Sequence, residues 1–410
     1  MQLVERHIIN SNHFAYNECD KICFASKNLY NKANYIVRQE FIKTTKEKQE
    51  GLREYAIYLN YFDIRRILIN SDEYKSLPRK VSNQTLMMLD RNWKSFFKSI
   101  KDYVKHPNKY TGKPSLPRYL NPQKGRFITT YELGAISGRW LKQDYLALSQ
   151  SNIKIPIRCK NVKQCRITPR NNEYIIDVIY EVEDPKEKND NERYAGIDLG
   201  VNNLATVGSN VVQPFIVNGR PLKSINQFYN KKLAYYKSIL EKYENRKTSG
   251  RLVKLTNKRD KKVKDYLHKS SRIIVNKLVE NNINTLVIGK NDEWKQRVNM
   301  SKANNQNFVS IPHSTFIQML EYKAKLVGIR VVIQEESYTS KCSFFDLEEV
   351  RKQQVYKGRR LKRGLFKTSM GRLVNADLNG SYNIIKKAIP NAFSYGIEGL
   401  AVNPVVLATN

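Results

Sequence analysis

Hydrophobic positions change their spacing along this chain. Over residues 15–104 they recur at helical spacing, as at Leu29 and Ala33. Over residues 126–182 short alternating segments joined by polar turns predict the strands of a small β-barrel. Residues 2–9 alternate weakly and suit a first strand of that barrel. The helical region would then be an insertion into a β-domain.

A second pattern starts after the charged, polar stretch 184–192. It opens with a short buried strand around Asp198 and a hairpin. A long charged helical region at 222–282 then precedes a strand–helix–strand unit that ends at 333, which is typical of a parallel or mixed sheet. Residues 338–372 are basic and irregular, and a final helix begins at Asp377.

Two aspartates in this second pattern suggest a metal site. Asp198 lies in the middle of a buried strand, where a carboxylate is costly unless it binds something. Asp377 begins a helix that can pack against that strand. An RNase H-like nuclease needs this arrangement, because two Mg²⁺ ions bridged by carboxylates can activate a water and stabilise the leaving oxygen of a phosphodiester.

The net positive charge of the chain indicates what kind of molecule it binds. The 410 residues include 72 Lys+Arg and 38 Asp+Glu, a net charge of +34, and such self-repulsion is relieved by binding a polyanion. The basic residues run the whole length instead of clustering on one amphipathic helix, so nucleic acid is favoured over a membrane surface. Five scattered cysteines and an N-terminus without a long apolar core indicate a reduced, cytoplasmic setting.

Two basic clusters are candidates for contact with nucleic acid. One lies on the helical region and the other in the irregular segment: Lys254, Lys258, Arg259 and Lys262, then Arg359, Arg360, Lys362 and Arg363. Solvated faces of ordinary helices and loops have similar compositions, so composition alone leaves both interpretations open.

Four ordered motifs carry a more specific resemblance. The segments YAGIDLGVNNLATV, NTLVIGKNDEWKQ, SYTSK and NADLNGSYNIIKKA resemble the split RuvC motifs of the TnpB family, transposon-associated proteins related to type V CRISPR effectors. The resemblance implies an RNA-guided DNA endonuclease with two Mg²⁺ ions at its site. Its partners would be a guide RNA from the transposon end and double-stranded target DNA beside a short adjacent motif. We expect a monomer associated with the nucleoid.

The resemblance also implies a multidomain α+β architecture. It places a β-barrel wedge domain at 1–12 and 112–184, with a helical recognition domain at 13–111 inserted into it. An RNase H-like (RuvC) nuclease domain at 192–390 follows, with a helical arm at 222–282 and a basic loop at 338–374. A tail at 391–410 completes the chain.

The third carboxylate departs from the family pattern. The family usually has a glutamate at the end of the Val287–Ile288 strand, where this chain has Gly289. Adjacent strands lie roughly 4.8 Å apart, so a carboxylate at the end of the neighbouring strand, Glu336 or Glu335, could enter the same site. Two alternatives remain: Asp292 or Glu293 in the loop, or loss of the ligand and of cleavage.

The second departure concerns zinc. Many relatives carry a zinc ribbon of two cysteine pairs before the last aspartate, but here only Cys342 lies in that region. One thiol cannot build a tetrahedral site. We therefore expect no zinc.

Other functions fit part of the pattern. A nuclease-inactive, RNA-guided repressor would explain Gly289, and a compact type V CRISPR effector or a direct transposase would also use an RNase H-like site. Retention of both Asp198 and Asp377 favours the nuclease. Asn202, Asn203, Asn379 and Asn383 are near these aspartates and could support a phosphate or a water, although caps and turns use asparagine more often.

Overall fold

The chain forms two compact units in a computed structural model, residues Met1–Glu183 and Asp184–Asn410. The structure describes residues 1–244, 246–291 and 310–407. The predicted architecture is correct at the level of a mixed α/β multidomain protein. None of the helices in these ranges combines the length and apolarity that crossing a membrane requires.

The first unit combines a helical bundle with antiparallel strands. Its helices are α1 (Tyr16–Gln49), α2 (Tyr61–Leu68), α3 (Asp72–Lys75), α4 (Arg79–Lys105) and α5 (Gly138–Leu141). Its strands are β1 (Gln2–Ile9), β2 (Thr129–Glu132), β3 (Tyr145–Ala147), β4 (Lys154–Pro156), β5 (Val162–Arg170) and β6 (Glu173–Glu181).

These strands pair as an open sheet. Four of them form a ladder in the order β1-β6-β5-β2, and β3 and β4 form a separate hairpin. The end strands β1 and β2 do not pair with each other, so the strands of this unit do not close into a hydrogen-bonded barrel. The predicted first strand is confirmed, since β1 pairs antiparallel with β6 along its whole length.

The second unit is built on a six-stranded mixed sheet in the order β11-β10-β7-β8-β9-β15. These strands are β7 (Tyr194–Leu199), β8 (Asn203–Ser209), β9 (Phe215–Asn218), β10 (Thr285–Gly289), β11 (Arg330–Gln334) and β15 (Val405–Leu407). The first three form antiparallel pairs, whereas β7, β10 and β11 run parallel to one another. The carboxyl ends of these three parallel strands therefore meet at one edge of the sheet.

Helices cover both faces of this sheet. They are α6 (Arg220–Glu244), α7 (Gly250–Glu280), α8 (His313–Lys325) and α9 (Ala376–Ala388). Apolar residues of α7 and α8 share a core with Ala195, Ile197 and Leu199 of β7. The alternate residues of β7 face α9, because successive side chains of a strand point to opposite faces.

Two regions near the C-terminus are more ordered than their sequence predicted. The basic segment contains a three-stranded sheet of β12 (Arg359–Lys362), β13 (Leu365–Lys367) and β14 (Leu373–Asn375). The tail adds β15 to the main sheet by parallel pairing with β9. The prediction that residues 338–372 are irregular was therefore wrong where they form β12 and β13.

Candidate metal centre

Asp198 lies near the carboxyl end of β7 on the face that packs against α9. The alternation of the strand places it with Gly196, opposite the core residues Ala195, Ile197 and Leu199. Since this face is covered by a helix, the carboxylate is partly withdrawn from water. The sequence analysis correctly placed Asp198 on a buried strand.

Two glycines allow α9 to approach Asp198 closely. A Cβ atom on Gly196 would lie 2.6 Å from the Ser381 carbonyl oxygen, and one on Gly380 would lie 2.8 Å from Oδ2 of Asp198. The Ser381 hydroxyl ties the helix to the sheet by donating to the Gly196 carbonyl and accepting the Gly208 N–H, both at 2.8 Å. The sequence analysis missed Gly380, although it follows Asp377 by one turn of the same helix.

Asp377 lies in the first turn of α9. The Asn375 side chain caps this helix by accepting the N–H groups of Asp377 and Leu378, each at 3.0 Å. Asn203 donates its side-chain amide to Oδ2 of Asp377 at 2.8 Å, and the Arg360 guanidinium lies 3.4 Å from Oδ1. The cap thus fixes the backbone at Asp377, and the Asn203 amide holds its carboxylate.

The two candidate glutamates beyond β11 have different surroundings. Glu335 is exposed, forms a 2.6 Å ion pair with Lys387 and accepts the Ser337 N–H. Partial burial raises its pKa, but the hydrogen bonds from Lys387 and Ser337 outweigh that effect and lower it. Glu336 is partly buried, and its pKa is raised to about 7, first by desolvation and then by the charge of Glu335, with Lys387 acting in the opposite direction.

Electrostatics couple three of these carboxylates. Desolvation raises the pKa of Asp198 well above its usual range, and the negative charges of Asp377 and Glu336 raise it further. Among the described residues Arg360 is the group that acts in the opposite direction. A divalent cation would offset both the burial of these carboxylates and their mutual repulsion. Carboxylate oxygens are ligands that Mg²⁺ prefers. We call Asp198, Glu336 and Asp377 the carboxylate edge.

The residue types of the carboxylate edge suit a divalent cation, but the distances between the side chains are longer than a single bound ion requires. Within residues 1–244, 246–291 and 310–407, no three His, Cys, Asp or Glu side chains are gathered closely enough to ligate one ion as they stand. Asp292 and Glu293, the loop alternatives to Glu336, lie outside the described residues.

Buried asparagines on α9 support the edge. Asn379 and Asn383 both donate to the Cys342 carbonyl, at 2.9 and 2.8 Å, and Asn383 also donates to the Thr339 carbonyl at 2.8 Å. Thr339 in turn donates its N–H and hydroxyl to the Glu336 carbonyl. These side chains tie the segment after Glu336 to the helix that carries Asp377. The sequence analysis had considered Asn379 and Asn383 as supports for a phosphate or a water, and their hydrogen bonds here are to backbone groups.

The basic candidates on α7 divide into two groups. Lys254, Lys258 and Lys262 are exposed on one face of the helix. Arg259 is only partly exposed, and its guanidinium donates to the Asn226 side chain and the Ser310 carbonyl, each at 2.8 Å. Arg259 therefore holds α6, α7 and the segment before α8 together within this unit.

The second basic cluster lies on one edge strand and its turn. Arg359, Arg360 and Lys362 are exposed on β12, and Arg363 is exposed in the turn that follows. Arg360 connects this cluster to the carboxylate edge through Asp377.

Two family models match separate parts of the chain. A model described as a probable transposase, OrfB_IS605, matches residues 177–295, which contain Asp198. A Cas12f1-like TNB domain model matches residues 313–384, which contain Glu336 and Asp377. The two matched segments together hold the whole carboxylate edge.

Individual relatives show more distant similarity along most of the chain. The TnpB-like protein ORF457 of Acidianus two-tailed virus is 23% identical over 426 aligned residues, covering 92% of this chain and 85% of that protein. A Cas12f1–sgRNA–target DNA complex is similar with a TM-score of 0.36 and 16% identity, covering 93% of this chain and 98% of that one. Alicyclobacillus acidoterrestris C2c1 with single-guide RNA has a TM-score of 0.44 and 9% identity over 90% of this chain and 69% of that one. Its ordered motifs, the two family models and the viral relative all show that this chain is similar to TnpB-like and Cas12f1-like proteins.

Proposed function

We propose that this protein is an RNA-guided DNA endonuclease whose phosphodiester hydrolysis depends on Mg²⁺ held by Asp198, Glu336 and Asp377. The proposal rests on the placement of Asp198 at the carboxyl end of β7, of Glu336 just beyond the parallel strand β11, and of Asp377 in the first turn of the helix that packs on this sheet. The strand order, with an antiparallel β7–β8–β9 meander extended by parallel β10 and β11, suits an RNase H-like domain.

The glutamate assignment rests on the contrast between neighbours. Both partners that Glu335 finds, Lys387 and Ser337, stabilise its ionised form without a metal. Glu336 instead raises the pKa of Asp198 by its charge and is itself destabilised as an anion. A carboxylate in that position gains most from a cation, so we assign Glu336 as the third ligand.

The other residues of the site would orient these ligands. Bound Mg²⁺ supplies an activated water and stabilises the charge on the leaving oxygen. Asn203 holds the Asp377 carboxylate and the Asn375 cap holds its backbone, and Gly380 leaves room for Asp198 beside α9. Arg360 lies beside Asp377, and its guanidinium would suit a phosphate of a bound nucleic-acid strand.

Guide RNA and target DNA are the partners that the similarity to TnpB-like proteins and the net charge favour. The net charge of +34 suits a polyanion, and the exposed lysines of α7 and the basic β12 strand offer phosphate contacts. Target sequence would be selected by base pairing to the RNA, with the protein contacting backbones and a short adjacent motif.

One observation favours a second candidate, an RNA-guided repressor that binds without cutting. Gly289 stands where the family has a glutamate, and a chain without a third ligand would keep recognition but lose hydrolysis. Glu336 restores the number of carboxylates at this edge, so the nuclease is the better supported function.

Plasmid cleavage tests the proposal. The protein is purified with its co-expressed RNA and supplied with a matching plasmid at low salt, in Mg²⁺ or in EDTA. We expect cleavage by the wild type in Mg²⁺ and none in EDTA. Target binding without cleavage would establish the repressor, and absence of RNA-dependent target binding would overturn both functions.

A further inference from the structure

Gly289 occupies an unusual position at the end of β10. The backbone there is in register with Gln334 of β11, and the next residue, Lys290, donates its N–H to the Gln334 carbonyl at 2.9 Å. A Cβ atom on Gly289 would lie 2.7 Å from Oε2 of Glu336 and 2.6 Å from Cδ1 of Ile384. The Glu336 carboxylate therefore fills the space that a side chain at 289 would need.

Asn291 holds the same glutamate by two hydrogen bonds. Its side-chain carbonyl accepts the Glu336 backbone N–H at 3.1 Å, and its side-chain amide donates to Oε1 of Glu336 at 3.3 Å. One bond fixes the backbone of the residue and the other fixes its carboxylate. Oε1 is thus bound by the amide, while Oε2 lies over the glycine.

We propose that Gly289 and Asn291 are positioning residues that direct the Glu336 carboxylate into the metal site. The glycine then makes room for a ligand supplied from beyond the neighbouring strand, and it is not a sign that the site has lost cleavage. The proposal rests on the proposed function insofar as Glu336 binds the metal.

Packing against α9 offers a competing reason for the glycine. Ile384 approaches the position as closely as Glu336 does, and both contacts are made by the far ends of flexible side chains. An alanine at 289 would therefore be accommodated by movement of one or both, at small cost in stability. The two reasons differ in what that movement disturbs, because only Glu336 belongs to the carboxylate edge.

Metal binding separates the two reasons. Mn²⁺ is titrated calorimetrically into the full chain with its co-purified RNA, and the melting temperature is measured in EDTA. We expect Gly289→Ala to weaken Mn²⁺ binding by about 10- to 100-fold, the usual effect of losing an outer-shell support, with little change in melting temperature. Asn291→Ser should weaken binding in the same direction.

Two double variants provide the controls. Gly289→Ala with Glu336→Asp shortens the carboxylate by one methylene and should recover part of the Mn²⁺ affinity lost in Gly289→Ala. Gly289→Ala with Ile384→Val relieves only the contact with α9 and should not recover it. Wild-type affinity in Gly289→Ala, or full recovery by Ile384→Val, would overturn the proposal.

This readout is independent of cleavage. If the wild type binds Mn²⁺ but never cuts, the nuclease proposal fails while the positioning of Glu336 is still tested by the same affinities. If Glu336→Gln leaves Mn²⁺ affinity unchanged, Glu336 is not a ligand and the positioning proposal fails with it.

Discussion

The carboxylate edge and the loop at residues 342–369 both contain partly or fully buried acidic side chains, but the groups that surround these side chains differ. In the loop, buried Glu348 accepts the N–H groups of Ser343 and Lys357 at 2.7 and 3.0 Å. Asp346 accepts the N–H and hydroxyl of Ser369 at 2.9 and 2.6 Å. At the edge, the negative charges of Asp377 and Glu336 act on Asp198 instead.

The pKa directions express this difference. Burial raises the pKa of Asp346, but hydrogen bonds from neighbouring serines outweigh it and lower the pKa. Burial raises the pKa of Asp198 and nearby negative charges raise it further. A carboxylate whose oxygens are occupied by backbone N–H groups holds a loop together, whereas a buried carboxylate beside other carboxylates is suited to bind a cation.

Removing the charge at Asp198 should have the largest effect. Asp198→Asn is expected to reduce the single-turnover cleavage rate by more than about 100-fold, since even outer-shell changes cost 10- to 100-fold. Because the substitution removes repulsion within the edge, the melting temperature in EDTA should not fall. Cleavage within tenfold of the wild type would break the comparison.

The adjacent residues Glu335 and Glu336 allow a matched comparison of a predicted metal ligand with a predicted ion-pair partner. Glu336→Gln should lower the cleavage rate by about 100-fold or more, as expected for a ligand of the metal. Glu335→Gln removes an exposed ion pair with Lys387 and should alter stability by less than about 1 kcal/mol, with near-normal cleavage. The reverse order of effects would assign the site to Glu335.

Glu348 tests the other side of the comparison. Glu348→Gln weakens two hydrogen bonds to a buried carboxylate and should cost about 1.5–3 kcal/mol, seen as a drop of several degrees in melting temperature. Mn²⁺ affinity should stay near that of the wild type. A large loss of Mn²⁺ affinity at unchanged stability would show that the loop carboxylate acts as a ligand.

Basic residues of α7 give the smallest expected effects. Alanine at Lys254, Lys258 and Lys262 should weaken nucleic-acid binding and reduce the slope of log K against log salt by about 0.9 for each lost contact with a duplex phosphate. Arg259→Ala should instead lower the melting temperature, because its guanidinium bonds Asn226 and the Ser310 carbonyl. Equal salt slopes for the wild type and the triple variant would remove α7 from the binding surface.

The regular elements around the site could be predicted from sequence. Short buried apolar runs identified β7 and β8, helical spacing identified α8, and both aspartates were placed on the correct elements. These features depend on local hydrophobic periodicity, which is visible in one chain without partners.

The missed features depend on contacts between distant residues. Asn291 and Glu336 are 45 positions apart, and Gly380 meets Asp198 only after α9 packs on the sheet. Strand β15 is three residues long and finds its partner β9 far back along the chain, so no local pattern revealed it. For the same reason the sequence left Glu335 and Glu336 as alternatives, and only their neighbours distinguish them.

A crystal of the protein grown in Mn²⁺, with anomalous diffraction data collected at the manganese edge, tests the central claim most directly. The account predicts an anomalous peak bound by carboxylate oxygens of Asp198, Glu336 and Asp377, with Glu335 still paired to Lys387. A peak ligated by Glu335, or one that involves Asp198 and Asp377 while Glu336 points away, would contradict it.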